Sequence, residues 1–363
     1  MKRIIVTLVA AVSVWFAASA QQLKYVDAAE LNIIGKVLPT PKPFTRVDTE
    51  KYHFEDKVIE RYANYSTGLM VVFSTDSKTI AAKWKTSSAN AGYNMTSIVC
   101  KGLDLYIKKD GKWIFAGVGS PKMGQAPYNE HSGTIVANMP EGTKECLLYL
   151  PLFDRIDALE IGVDEDASIA AMENPFRRKI VFKGSSVTHG ASASRPGMTY
   201  PARFGRDNGF YVCNLGFSGK SKLQKEYARI IADTQADAFV FDAFSNPLAD
   251  EINERFDDFV DIIRAAHPDT PLIFLQTERR ESRNFNMAIE AREAAKQKAA
   301  EDQIRERMKT DRHMYFITSE DFLGHEHIAT ADGSHPTDLG FTYMLESISP
   351  KIRRILRRYG IRF

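Results

Sequence analysis

Hydrophobic and polar residues follow two different patterns along the chain, and the change falls near residue 175. Residues 22–172 contain short β-rich runs and little helical periodicity. Ile80, Ala82 and Trp84 alternate with Ala81, Lys83 and Lys85, which is close to the period of a half-buried strand. The other strand-like runs cover residues 68–75, 103–108, 113–117, 146–150 and 158–163. Asp110-Gly111 is a strong hairpin signal between two of them. This part is predicted to be a β-sandwich of jelly-roll type.

From about Arg178 onward, short apolar runs alternate with helical stretches. The runs cover residues 179–183, 211–215, 238–243, 271–276 and 314–318. Two of the helices place their apolar residues on one face, namely Ile252, Phe256, Phe259, Val260 and Ile263 in one and Met344, Ile348, Ile352 and Ile355 in the last. The alternation predicts an α/β domain with a parallel sheet covered on both faces, in a flavodoxin-like three-layer arrangement. Glu173-Asn174-Pro175 interrupts both patterns, so the predicted domains are residues 21–175 and 176–363.

The first 20 residues have the pattern of a signal peptide. Lys2 and Arg3 precede an apolar run over residues 4–18, and Ala18-Ser19-Ala20 is typical of a cleavage site. We therefore expect an exported protein, periplasmic or secreted, that is cleaved after about Ala20. The run is short for a membrane span, so we expect no stable membrane anchor, and an uncleaved N-terminal anchor is the alternative.

Charge and cysteine content narrow the class of partner. The formal net charge of +2 falls to zero once Lys2 and Arg3 are removed, which argues against a nucleic-acid partner. The three cysteines allow at most one disulfide, and Cys100 and Cys146 are predicted to be small buried hydrophobic residues. The chain contains no C-x-x-C motif of the kind that binds zinc or carries redox chemistry.

Four of the apolar runs are followed by residues that can carry chemistry. Ligands bind beyond the carboxyl ends of strands in open parallel sheets, and the residues found there are Ser186, Gly219, Asn246 and the pair Asp332 and His335. Acyl transfer needs such a set. Ser186 is predicted to be the nucleophile, His335 its base and Asp332 the group that orients the imidazole. The backbone N–H groups of Ser186 and Gly219 and the Asn246 amide are predicted to form the oxyanion hole. This chemistry requires no metal and no organic cofactor.

The same residues resemble a known family. Gly184-x-Ser186, Gly219, Asn246 and Asp332-x-x-His335 occur in the order of the four blocks of the SGNH (GDSL-type) hydrolases. A bacterial subgroup with an N-terminal β-sandwich is similar over further stretches, namely residues 65–80, 102–113, 193–200, 214–219 and 332–341. The resemblance implies a serine esterase or acylhydrolase, commonly one that removes acetyl groups from carbohydrate. The segment Asn94-Met95-Thr96 resembles a subgroup stretch that we expect at the catalytic rim.

The chain departs from the family pattern at three places. Ser185 replaces the Asp of the usual Gly-Asp-Ser block, and the third block reads Phe244-Ser245-Asn246-Pro247 instead of Gly-x-Asn-Asp. The subgroup more often has Gln at the position of His189. Because His189 lies three residues after Ser186, it is a candidate for a substrate contact or a rival base. Arg195, before Pro196-Gly197, is a candidate for orienting a loop or for contacting substrate.

Other interpretations of these residues stay open. An α/β-hydrolase has the same chain order, but Thr188 occupies the second Gly position of its G-x-S-x-G elbow. His325-Glu326-His327 lacks an obvious third ligand, which favours a solvated loop over a metal site. Trp84 and Trp113 fit core filling better than carbohydrate platforms.

The predicted partner is a small-molecule or oligosaccharide ester, and the oligomeric state is left open. The alternatives to an esterase are an acyltransferase that uses the same acyl-enzyme and a glycan-binding protein whose catalytic domain has decayed.

Overall fold

The computed structural model describes residues 22–87, 92–124 and 126–362. The predicted signal peptide lies outside the described residues. Across the described part of the chain, no helix combines the length and the apolar composition needed to cross a bilayer.

The N-terminal part consists of two antiparallel sheets. One has the strand order β1-β9-β4-β7, and the other has the order β10-β3-β8-β5-β6 with β2 also paired to β3. Apolar side chains from both sheets, such as Phe73 and Leu148 from one and Trp84 and Ile161 from the other, meet in a shared core. The elements are β1 (Leu23–Asp27), β2 (Asn32–Ile34), α1 (Lys57–Ala63), β3 (Met70–Thr75), β4 (Ile80–Thr86), α2 (Ser97–Lys101), β5 (Leu103–Lys109), β6 (Lys112–Gly119), β7 (Glu130–Val136), β8 (Lys144–Tyr149), β9 (Ile156–Asp164) and β10 (Ile169–Ala171).

Local sequence chemistry explains several of these elements. The hairpin between β5 and β6 turns at Asp110 and Gly111. Both residues have positive φ (51° and 76°), as a two-residue turn of type I′ requires.

Trp84 is buried and donates its indole N–H to the Lys101 carbonyl at 2.8 Å, so its predicted core role is confirmed. All three cysteines are free and buried.

The C-terminal part is a parallel sheet with helices on both faces. Its strands lie in the order β12-β11-β13-β14-β15, which is 2-1-3-4-5 in chain order. Alternate strand residues face opposite sides, so that Val181 packs with α5 and α6 in one core while Phe182 packs with α4 and α8 in another. The elements are β11 (Arg177–Gly184), α3 (Ser186–His189), α4 (Tyr200–Asn208), β12 (Phe210–Gly216), α5 (Lys225–Asp233), β13 (Ala238–Asp242), α6 (Ala249–Ala266), β14 (Leu272–Leu275), α7 (Met287–Arg307), β15 (Met314–Ile317) and α8 (Asp338–Arg358).

The five predicted strands of this part and its two amphipathic helices are confirmed. Every apolar residue on the predicted faces of α6 and α8 is buried. The strand order reverses between β11 and β13, and at such a point the loops diverge and leave a crevice at the carboxyl ends of the strands.

The N-terminal part packs directly against this sheet-and-helix unit. Phe54 and Ile59 share a core with Phe217 on the loop after β12. Next to it, Lys220 forms an ion pair with Asp56, the residue that caps α1, at 2.7 Å. The N-terminal part is therefore attached at the same edge of the sheet that carries the candidate residues.

Candidate active site

The ends of β11, β12 and β13 are linked by hydrogen bonds that place the first three sequence blocks side by side. Strand β11 ends at Gly184, the side chain of Ser185 caps α3, and Ser186 is the first residue of that helix. The Phe217 N–H donates to the Gly184 carbonyl at 2.8 Å, which joins the loop after β12 to the end of β11. Gly184 has no room for a side chain, because a Cβ there would lie 2.1 Å from Thr188 Oγ1.

Ser186, His335 and Asp332 form a hydrogen-bonded relay. Ser186 Oγ lies 2.9 Å from His335 Nε2, and His335 Nδ1 lies 2.8 Å from Asp332 Oδ2. Since Asp332 accepts at Nδ1, the neutral imidazole carries its proton there and presents a free lone pair at Nε2 to the serine hydroxyl. The arrangement can take a proton from Ser186 and stabilise the imidazolium that results.

The loop that carries Asp332 and His335 is a tight turn stabilised by its own carboxylate. Asp332 Oδ1 accepts the backbone N–H groups of Ser334 at 3.0 Å and His335 at 2.9 Å. Partial burial alone would raise the pKa of Asp332. The backbone and ring hydrogen bonds from His335, together with that from Ser334, outweigh this effect and lower the pKa to about 2. The carboxylate is therefore ionised throughout the neutral range.

The expected oxyanion donors lie on the two neighbouring loops. Gly219 is exposed with φ of +69°, and a Cβ there would have no atom within 4 Å, so open space lies in front of its backbone. Asn246 accepts the Ser221 N–H at Oδ1 (3.1 Å), which identifies the other end of the amide as the donor nitrogen. Within the described ranges the Asn246 amide nitrogen makes no hydrogen bond and remains available to a ligand.

A buried lysine contacts the loop after β12, which carries Gly219 and Ser221. Lys183 donates to Ser221 Oγ at 2.6 Å and lies 3.9 Å from the centroid of the Tyr227 ring. Complete burial lowers the pKa of Lys183 well below its ordinary value. In the sequence, Lys183 is only the last residue of a strand-like run, and no motif marks its contact with Ser221.

Asp242, at the end of β13, was also missed from the sequence. Its carboxylate accepts from Ser185 N–H (3.1 Å), Ser185 Oγ (2.6 Å), Thr188 Oγ1 (3.0 Å) and Ser245 Oγ (2.8 Å). These contacts hold the residue before the nucleophile and the residue before Asn246. The departure at Ser185 is thus accompanied by a carboxylate from the adjacent strand. In the sequence, Asp242 is marked only as a charged residue within an otherwise apolar run.

His189 does not face the catalytic site, although its position three residues after Ser186 predicted that it would. Its side chain is completely buried and stacks on Phe153, with ring centroids 4.0 Å apart. Nδ1 accepts the Ser218 N–H at 3.3 Å and Nε2 donates to the Leu152 carbonyl at 2.7 Å, which fixes a neutral tautomer. Burial, with a further contribution from Arg46, lowers the pKa of His189 well below its ordinary value. The expected substrate contact is corrected to a structural role between the two parts of the chain.

Arg195 makes contacts that suit the loop-orienting role predicted for it as one of two alternatives. Its Nε donates to Asp104 Oδ1 at 3.2 Å, and its guanidinium lies 4.2 Å from the centroid of the Phe115 ring. Asp104 also accepts the Gly197 N–H at 2.8 Å. Burial raises the pKa of Asp104 to about 6, although Arg195 acts in the opposite direction. Arg195 therefore connects the loop after α3 to strand β5.

The segment at Asn94 reaches the catalytic rim as expected, since Asn94 Nδ2 lies 2.9 Å from Asp332 Oδ2.

His325 and His327 are exposed, which fits the solvated loop predicted for them. The described residues contain no group of three His, Cys, Asp or Glu side chains that could hold a metal ion.

Comparison with known proteins finds matches over both parts of the chain. The model of the GDSL-like Lipase/Acylhydrolase family matches residues 177–353, and a model for the N-terminus of SGNH-hydrolase-type esterases matches residues 23–169. A crystal structure from Bacteroides ovatus, of a protein named as a GDSL-like lipase, is 46% identical with a TM-score of 0.89 and covers 93% of this chain and 98% of its own. The chain belongs to the GDSL-like (SGNH) lipase/acylhydrolase family. This SGNH-family protein is accordingly an ester hydrolase by class.

More distant structures share the fold of this SGNH-family protein. A salicylyl-acyltransferase from a tetracycline biosynthetic pathway is 20% identical with a TM-score of 0.73, covering 94% of this chain and 99% of its own. A family two carbohydrate esterase from Cellvibrio japonicus is 13% identical with a TM-score of 0.58, covering 93% and 98%. At these identities the likeness shows the fold alone. A search of functionally curated proteins gives no match.

Proposed function

We propose that the protein is a serine esterase that works through an acyl-enzyme. The observation that carries this proposal is the relay from Ser186 Oγ through the His335 ring to Asp332, with contacts of 2.9 Å and 2.8 Å. In this proposal Ser186 is the nucleophile, His335 the general acid and base, and Asp332 the residue that orients and stabilises the imidazolium. The intact relay argues against a decayed catalytic domain that only binds glycans.

The proposed reaction has two stages, acylation and hydrolysis of the acyl-enzyme. His335 removes the hydroxyl proton as Ser186 Oγ bonds to the ester carbonyl carbon, and the carbonyl oxygen becomes an oxyanion. The N–H groups of Ser186 and Gly219 and the Asn246 amide donate to that oxyanion. The leaving alcohol departs with the proton from His335. Water, deprotonated by His335, then attacks the carbonyl carbon of the acyl-enzyme. The bond to Ser186 Oγ breaks as His335 returns the proton to that oxygen, and the carboxylic acid is released.

We infer that the substrate is a small-molecule or oligosaccharide ester and that the acyl group is acetyl. The shared fold with carbohydrate esterases, together with the zero net charge that remains once residues 1–20 are removed, supports this class. We also propose that the protein is exported by way of residues 1–20.

We further propose that the two N-terminal sheets form a jelly-roll-like β-sandwich domain over residues 21–175. The parallel sheet would be a flavodoxin-like three-layer domain over residues 176–363.

The mechanism is tested with a chromogenic acetate ester. Ser186→Ala is expected to abolish turnover while leaving the thermal unfolding midpoint within a few degrees of the parent protein. An ester series from acetyl to octanoyl, followed by acetate release from a panel of polysaccharides, tests the substrate class. Retained turnover in Ser186→Ala overturns the mechanism, and a preference for octanoyl over acetyl overturns the deacetylase assignment.

Acyl transfer to an acceptor other than water is the second candidate. It is favoured by the likeness to the salicylyl-acyltransferase, which extends over 94% of this chain. The acyl-enzyme is the same in both cases, and only the attacking group differs. Product analysis by mass spectrometry with added alcohols and amines separates the two, because a transferase gives the acylated acceptor in excess over the free acid.

A further inference from the structure

A segment of the N-terminal part contacts the catalytic relay itself. The Asn94 amide nitrogen lies 2.9 Å from Asp332 Oδ2, and the two residues are separated by 238 positions in the chain. Tyr93, the preceding residue, places its hydroxyl 3.3 Å from the same carboxylate oxygen. Asp332 Oδ2 is therefore the meeting point of the imidazole and of two side chains from outside the sheet-and-helix unit.

Hydrogen-bond chemistry allows only one orientation of this amide. The Asn94 amide nitrogen is also 3.1 Å from His335 Nδ1, but both nitrogens are donors, so they do not bond to each other. They converge on the same carboxylate oxygen instead. A flipped amide would place its carbonyl oxygen 2.9 Å from Asp332 Oδ2, and two acceptors at that distance repel. The amide and the ring thus share the carboxylate as two donors.

The segment that carries Asn94 is held in place by the loop after α3. Ser192 donates its hydroxyl to the Asn94 carbonyl at 3.0 Å, and Thr96 donates to the Ser194 carbonyl at 2.7 Å. The Ser194 N–H donates to Asp338, which begins the helix that follows the relay loop, at 2.9 Å. Ser192 keeps a left-handed backbone (φ of +67°), which is uncommon outside glycine and persists when surrounding contacts hold it.

We propose that Asn94 is a positioning residue that holds the Asp332 carboxylate toward the His335 ring. This inference rests on the proposed function, because it gives Asn94 a role in the serine relay. Asp332 Oδ1 is occupied by two backbone N–H groups of its own loop, and Asn94 supplies the second donor at Oδ2. The carboxylate then has one orientation available when the imidazolium forms, and the N-terminal part completes the relay rather than being an appended module.

Three single variants of the full-length protein test this role. Asn94→Leu keeps a similar side-chain size but removes the donor, and we expect kcat to fall about 10- to 100-fold with KM within about twofold. Thr96→Ala is the matched control, because it loosens the same segment but leaves the amide in place, and we expect a loss below about threefold. Asn94→Asp adds a second carboxylate beside Asp332 and the imidazole. It is expected to move the acidic limb of the kcat/KM profile upward by about one pH unit, since a nearby negative charge favours the imidazolium.

The outcomes separate a positioning role from a merely structural one. An Asn94→Leu protein with kcat within twofold of the parent overturns the proposal, as does an equal loss in Thr96→Ala. An Asn94→Asp protein with an unmoved acidic limb also overturns it, because the side chain would then not face the relay. A parent protein that neither hydrolyses esters nor reacts with an organophosphonate overturns the proposed function itself. An active parent with an equally active Asn94→Leu protein overturns only the role of Asn94.

Discussion

Replacing Asp242 tests whether a single buried carboxylate organises the loops around the nucleophile. The side chain is 3% exposed and accepts four hydrogen bonds, three at Oδ2 and one at Oδ1. Asp242→Ala removes every one of these acceptors. Asp242→Asn keeps an oxygen for the three donors at Oδ2 and turns its amide toward the Ser245 hydroxyl, which can accept as well as donate.

The expected magnitudes follow from which donors can find new partners. A buried donor left unpaired costs about 1–3 kcal/mol. The hydroxyls of Ser185, Thr188 and Ser245 can rotate, and Thr188 already contacts the Tyr200 hydroxyl at 2.7 Å, whereas the Ser185 N–H is fixed. We therefore expect Asp242→Ala to lower the free energy of unfolding by about 3–6 kcal/mol and Asp242→Asn by about 1–2 kcal/mol.

Chemical denaturation at pH 7.5, followed by circular dichroism, measures both variants, and turnover of the acetate ester shows the effect on the site. Because Asp242 contacts Ser185 and not the hydroxyl of Ser186, we expect Asp242→Asn to keep kcat within about tenfold of the parent. The reasoning is refuted if Asp242→Ala unfolds within 1 kcal/mol of the parent, or if the Asn variant is as destabilised as the Ala variant.

Three further predictions concern the oxyanion hole, the contact between the two parts and pH. Asn246→Ala is expected to lower kcat about 100- to 1000-fold with an unchanged unfolding midpoint, and a loss below tenfold excludes the amide as a donor. Asp104→Ala leaves Arg195 and the Gly197 N–H without their partner, and we expect denaturation to show a loss of about 3 kcal/mol. A Glu145→Ala control, which removes an exposed ion pair with Lys108, is expected to change stability by less than 1 kcal/mol. Glu278 is buried on the loop after β14. Burial raises its pKa from the ordinary value of 4.5 to about 7, so ionising this carboxyl destabilises the fold as the pH rises through this range. Glu278→Gln is therefore expected to be more stable than the parent by about 3 kcal/mol at pH 8 and equal to it at pH 4.5, and an equal difference at both pH values contradicts the assignment.

The pattern of apolar residues was sufficient to predict the strands and helices that bury a regular set of side chains against the sheet. The faces of α6 and the strand β11 are visible in the sequence because each buries a regular set of apolar residues. The candidate site was predictable because the carboxyl ends of parallel strands lie at one edge of the sheet, and this holds for any conformation of the loops.

Contacts between distant segments could not be read from the sequence. Asp242 lies near the end of an apolar run, and its four donor atoms belong to Ser185, Thr188 and Ser245, in the segment after β11 and the loop after β13. His189 was predicted to face the site because it lies three positions after Ser186. The single turn of α3 instead directs its side chain into the core. Asn94 is marked only by a resemblance, because its contact with Asp332 depends on how the two parts of the chain pack.

The central claim is that Ser186 is a nucleophile activated by His335, and covalent labelling with an organophosphonate tests it most directly. Intact-mass and peptide mass spectrometry are expected to show one adduct per chain, on Ser186, in the parent protein. The account predicts no adduct in Ser186→Ala and strongly slowed labelling in His335→Ala. An adduct on another residue, or labelling of Ser186→Ala at the rate of the parent, would contradict it.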